Sequence, residues 1–161
     1  MFAYKLNLLH AVVLPSALAC LYFAMWESRR RTLRLRRLFW APWLSLLAAL
    51  LLVFMEARMK QPVWPFWAAL GGGLIVGGAR SLVMKLEVDK YWLVVRPAGG
   101  RTIIWVAALM VTAAFVDMAG AAIGPEGNIW RYYATLVAAA CSGLLFGRAL
   151  AMAVRVWRLI G

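Results

Sequence analysis

From Leu38 to Met55 the chain carries no charged side chain, and four further runs approach a similar apolar length: Leu8 to Trp26, Phe66 to Met84, Thr102 to Ile123 and Tyr132 to Trp157. About 20 apolar residues in a helix rising 1.5 Å per residue cross the ~30 Å hydrocarbon core of a bilayer. The spacing therefore predicts an all-α polytopic membrane protein, a single bundle of five transmembrane helices. Of the 161 residues 65% are hydrophobic and only 15% charged, far more apolar material than one interior of this size can hide. Disorder, collagen and a secreted disulfide framework are excluded on the same ground. The third run is weakened by Gly71, Gly72, Gly73, Gly77 and Gly78. Glycine is tolerated in membrane helices where another helix comes close, and the run is retained.

The basic residues set an expected orientation, because Lys and Arg in short loops stay on the cytoplasmic side. With the N-terminus outside, the internal segments hold Arg29, Arg30, Arg31, Arg34, Arg36 and Arg37, then Lys85, Lys90, Arg96 and Arg101, then Arg155 and Arg158. The external segments hold Lys5, Arg58, Lys60 and Arg131. This asymmetry favours five spans, N-terminus outside and C-terminus cytoplasmic. Lys5 alone precedes the first run and the arginines follow it, the order of an inserted helix rather than of a signal peptide. The net charge of +12 is thus largely a topology signal, and no nucleic-acid partner is expected.

Two internal loops carry further pattern. Between the first two spans, Leu33 and Leu35 alternate with arginines. A solvated anchor is the plainer reading, and leucines entering the interface while Arg29, Arg30, Arg31, Arg34, Arg36 and Arg37 meet anionic lipid head groups is the sharper one. Between the third and fourth spans, Leu86 to Val88 and Tyr91 to Val95 show a period of two around Asp89-Lys90, before Pro97-Ala98-Gly99-Gly100 breaks the pattern. A small cytoplasmic β-hairpin is predicted there. Two strands alone are marginal, so the hairpin must lean on helices, lipid or a partner.

Gly73 and Gly77 in the third span, and Gly143 and Gly147 in the fifth, are small-xxx-small pairs that allow close backbone approach. They can pair with each other or build a homodimer. Charges inside spans need separate accounts. Arg80 and Arg148 fall toward the inner face and can snorkel to it. Asp117 lies about 22 Å along the fourth helix, near the outer face, too far for a pair with either arginine. No acid lies at midplane, which disfavours an ion path and hence a transporter.

His10 is the single histidine, expected at the interface and bonded to backbone or water; no metal site or cofactor is predicted from it. Cys20 and Cys141 lie at similar depths, about 18 Å and 13 Å from the outer face. As a dithiol they are the weak redox candidates; as packing residues they match the usual use of buried cysteine. No catalytic constellation stands out, and a non-enzymatic role is expected.

The order of features, with Arg37-Leu38-Phe39-Trp40-Ala41-Pro42-Trp43 opening the second span, Met84-Lys85-Leu86-Glu87-Val88-Asp89 and Tyr91 to Arg96 after the third, and Phe146-Gly147-Arg148 to Val154-Arg155 in the fifth, resembles the CcdC-like family of small bacterial membrane proteins. That resemblance implies a bacterial inner-membrane location and a five-helix plan. The family takes its name from genes near those for cytochrome c maturation, and no catalytic set carries over. The leading expectation is a membrane scaffold or accessory factor, presenting its internal loops to a membrane-protein partner or to a second copy. A thiol-redox component and a small transporter are the alternatives.

Overall fold

The computed structural model describes residues 10–29, 33–58, 61–83, 86–89, 94–97, 100–123 and 127–160. Five helices account for most of them: α1 (His10–Arg29), α2 (Trp40–Arg58), α3 (Trp64–Val83), α4 (Gly100–Ile123) and α5 (Asn128–Ile160). All five are long and apolar enough to cross a membrane, so the chain is a multi-pass membrane protein. Proline marks two starts, Pro42 in the first turn of α2 and Pro65 at the second residue of α3, where its missing N–H removes no helical bond. Pro15 lies inside α1, and the following Ser16 hydroxyl donates back to the Val12 carbonyl. At 33 residues, α5 rises about 50 Å and outruns the hydrocarbon slab.

Helices α1, α2, α5 and α4 pack in a ring, each touching the next, while α3 lies outside it, packed chiefly on α5. The ring closes tightly because its interior is lined by small residues. One layer joins Ala17 of α1, Ala48 and Ala49 of α2, Ala113 and Ala114 of α4 and Ala138 of α5. A second joins Cys20 and Ala24 of α1, Ala41 of α2, Ala107 of α4 and Leu145 of α5. With no hydrophobic driving force between helices in lipid, such close approach supplies the dispersion contacts that hold them together. Many large apolar side chains point outward instead, although Leu52, Met110 and Met152 are buried. Trp64, Trp67, Trp130 and Tyr133 are exposed at one end of the bundle, and Trp40, Trp43 and Trp105 at the other, in the places where aromatic rings meet head groups.

The expectation of a helical bundle with a small two-stranded hairpin between the third and fourth spans is corrected. Three strands are present: β1 (Leu33–Arg34), β2 (Leu86–Asp89) and β3 (Val94–Pro97), in the order β1-β3-β2 and antiparallel throughout. The second strand is described from Val94 to Pro97; residues 90–93, where the predicted strand starts, lie outside the described ones. Its register pairs Leu86 with Pro97 and Asp89 with Val94. The third strand comes from the arginine linker, where Leu33 pairs with Val95 and Arg34 with Val94. The physical reason is edge satisfaction: β3 of a two-stranded hairpin leaves one row of N–H and C=O groups open, and β1 closes it. A 3-10 turn, Leu35–Phe39, then leads into α2.

Candidate functional site

The four ring helices each send one ionisable side chain to the same place, at the end opposite the sheet. These are His10 at the first turn of α1, Glu56 in the last turn of α2, Asp117 in α4 and Arg131 in the first turn of α5. All are buried, with exposures of 5%, 3%, 1% and 4%. The Arg131 Nε donates to Asp117 Oδ1 at 3.1 Å, and its Nη2 lies 3.8 Å from Glu56 Oε1. The other Asp117 oxygen, Oδ2, is 3.2 Å from His10 Nε2, within ion-pair distance though without the alignment of a hydrogen bond. One guanidinium thus bridges two carboxylates from two helices, and the imidazole closes the set from a third.

Local sequence makes room for this node. Gly120 lies one turn beyond Asp117, and a Cβ there would strike the Arg131 side-chain stem. Gly127, just before α5, lies against the Gly120 backbone, where a Cβ would collide. The facing ends of α4 and α5 therefore approach closely where Arg131 and Asp117 meet. The Thr135 hydroxyl, one turn further along α5, is satisfied by the Arg131 carbonyl at 3.0 Å.

A second charge pair occupies the sheet end. Arg148 Nη1 of α5 donates to Glu27 Oε1 of α1 at 3.2 Å. Along α1 from His10 to Glu27, and along α5 from Arg131 to Arg148, the rise is about 25 Å. The two charged layers therefore cap an apolar interior of nearly bilayer thickness, and each lies near a head-group region, where burying charge is less costly than at midplane.

Several sequence expectations are relocated by this geometry. His10, expected to bond backbone or water, is instead buried against Asp117. Arg131 is not an external loop residue but a buried member of α5. Asp117 pairs with neither Arg80 nor Arg148, in line with its place along the fourth span, and its partner is Arg131. Arg80 is exposed on α3 and reaches Thr102 Oγ1 at 3.4 Å. Glu56, beyond the sequence-drawn end of the second span, and Glu27, assigned to the linker, went unrecognised as partners. The signal for both is their place as acids at the ends of apolar runs.

Gly73 and Gly77 meet Gly143 and Gly147 across the α3–α5 contact rather than at a surface left for a second copy. A Cβ at Gly73 would strike the Ala140 carbonyl, at Gly77 the Leu144 carbonyl, at Gly143 the Leu70 carbonyl and at Gly147 the Leu74 carbonyl. Cys20 and Cys141 are both buried free thiols in neighbouring core layers. Among the linker arginines, Arg29 and Arg37 are exposed, and Arg37 stacks over the Trp26 ring at 5.4 Å. Arg30 and Arg31 lie outside the described residues, and Arg34 and Arg36 are described in backbone only. Among the described residues no group of three or more His, Cys, Asp or Glu is arranged to hold a metal ion.

Comparisons with protein-family models, with curated proteins and with solved structures give no match for this chain.

Proposed function

We propose that the chain is a non-catalytic membrane scaffold, whose helical bundle holds a small sheet at one membrane surface as the contact point for a membrane-protein partner. The observation that carries this reading is the pairing of Leu33 with Val95 and of Arg34 with Val94. Two loops separated by two helices are joined into one three-stranded element at the end where the arginines collect. Interior chemistry supports the same reading. The buried charges are spent on helix-to-helix pairs at two levels, and the thiols are enclosed in packed layers, whereas a reactive cysteine needs access to its co-substrate.

The excess of Lys and Arg in the linker and sheet loops puts the sheet on the cytoplasmic side, with the N-terminus outside. The resemblance to the CcdC-like family makes the bacterial inner membrane the proposed location and cytochrome c maturation the proposed setting.

The test is site-specific photocrosslinking in the native membrane, with a photoreactive amino acid placed in turn at Arg34, Glu87 and Arg96, followed by mild-detergent purification and mass spectrometry. The expected result is one partner trapped from all three positions, retained when Cys20 and Cys141 are replaced by Ala. Trapping that disappears with the cysteines would move the thiol reading forward. Solute flux in sealed vesicles carrying the pure protein, with no partner trapped, would replace the scaffold with a transporter.

A further inference from the structure

At the sheet end, α3 and α4 both pack on α5, and a cavity of about 90 Å³ lies between the three helices. Its wall is mostly apolar, with Gly77 on α3 and Val106 on α4 among the lining residues, yet the same space is bordered by Arg80, Ser81, Thr102 and Arg148. Two of these polar groups are buried and unmatched. The Arg148 Nη2 has no hydrogen-bond partner although Nη1 is bonded to Glu27, and the Ser81 hydroxyl has none either. Arg80 meets only the Thr102 hydroxyl, at a long 3.4 Å, and no carboxylate pairs with it among the described residues. A third guanidinium, Arg155, donates to the Ser81 carbonyl at 2.8 Å. Positive charge is therefore in excess around one small cleft, and an unpaired guanidinium N–H in such a place calls for an acceptor.

Depth and shape select the acceptor. Arg148 lies about 25 Å along α5 from the opposite charged layer, near the edge of a hydrocarbon core about 30 Å thick and within a side chain's reach of the phosphates. Below it the cleft offers hydrocarbon, not water, and Arg80 stands at the boundary between cleft and exposed surface. An anion that also carries an acyl chain satisfies both halves of the site; a basic pocket between helices at a membrane surface is a recognised way to hold an anionic head group. We propose that this cleft binds one anionic phospholipid, its phosphate between Arg80 and Arg148 and an acyl chain along the apolar wall between α3 and α4. This site is distinct from the linker arginines.

Native mass spectrometry of the full chain, released from micelles containing equal phosphatidylglycerol and phosphatidylcholine, tests it. One retained phosphatidylglycerol per chain is expected, reduced about tenfold by Arg80→Gln, the loss of one charge-assisted phosphate contact. Thr102→Glu, which sets a carboxylate beside Arg80, is expected to abolish retention, and Arg101→Gln, an exposed arginine outside the cleft, to leave it unchanged. Equal retention of the two lipids would overturn the proposal, as would an effect of Arg101→Gln matching that of Arg80→Gln. Displacement by excess glycerol phosphate would also overturn it, by showing a soluble-phosphate site. Equal melting temperatures for the variants in the same detergent show that the loss is of binding rather than of fold.

Discussion

Arg131 and Asp117 meet at 3.1 Å across the α4–α5 contact, and both are almost wholly buried. A buried pair contributes little net stability relative to an apolar pair, but breaking it leaves a charge without compensation, at a cost of about 3–5 kcal/mol. Arg131→Gln strands two carboxylates, Asp117 and Glu56. Asp117→Asn leaves Arg131 its contact with Glu56. We expect Arg131→Gln to destabilise by about 3 kcal/mol and Asp117→Asn by less, with the double variant closer to the wild type than the sum of the two predicts. Unfolding by SDS titration in mixed micelles, followed by tryptophan fluorescence, measures all three. Additive losses would show that the pair is not coupled.

The glycines of α3 divide into two sorts that a stability measurement separates. A Cβ at Gly77 would meet the Leu144 backbone, which cannot rotate out of the way, whereas one at Gly71 or Gly72 would meet nothing within 4 Å. Gly77→Ala is expected to cost about 1–3 kcal/mol by forcing α3 and α5 apart. Gly71→Ala and Gly72→Ala are expected to be neutral or to stabilise by up to about 1 kcal/mol, through better helix propensity. Limited proteolysis of the α2–α3 and α3–β2 connections provides the matching readout, since α3 packs chiefly on α5 and its release exposes both flanks. Equal sensitivity of all three positions would remove the close contact as the reason for the glycines.

How much of this was legible in the sequence follows from which features are local. Apolar length is local, so the five spans are visible from residues alone, although α5 begins at Asn128 rather than Tyr132 because Arg131 is drawn inside by its partners. The spacing of Gly73 and Gly77 is equally visible, but which helix they meet is not, since either another span or another copy satisfies the pattern. The charged node is invisible for a different reason. His10, Glu56, Asp117 and Arg131 sit near span ends, where a charge ordinarily needs no explanation beyond the interface, and only the ring packing brings them together. Strand β1 is two residues long and set among arginines, so no periodicity announces it; it exists because β3 has an edge to close.

Cys20 and Cys141 are 0% and 2% exposed, each enclosed in a packed core layer. Maleimide labelling of the folded protein in detergent should proceed at less than about a tenth of the rate seen after full denaturation, because a buried thiol outside an electropositive, accessible setting is inert. Replacing both by Ala should leave the far-ultraviolet spectrum and the photocrosslinking pattern intact. Rapid labelling of either thiol in the folded state would contradict the burial and reopen the redox alternative.

The sheet makes the sharpest demand on topology, because Leu33 and Val95 can pair only if the α1–α2 and α3–α4 connections lie on the same side of the bilayer. Partners across an antiparallel pair hold their Cα atoms about 4.5–5.5 Å apart, within the range a disulfide spans. In a background with Cys20 and Cys141 replaced by Ala, the combination Leu33→Cys and Val95→Cys should form an intramolecular disulfide on mild oxidation of membranes, visible as a mobility shift reversed by reductant. Leu33→Cys with Leu86→Cys should not, since Leu86 pairs with Pro97 on the far side of β3. Efficient bridging by the second combination would mean that β1 does not occupy the edge assigned to it, and no bridging by the first would separate the two loops altogether.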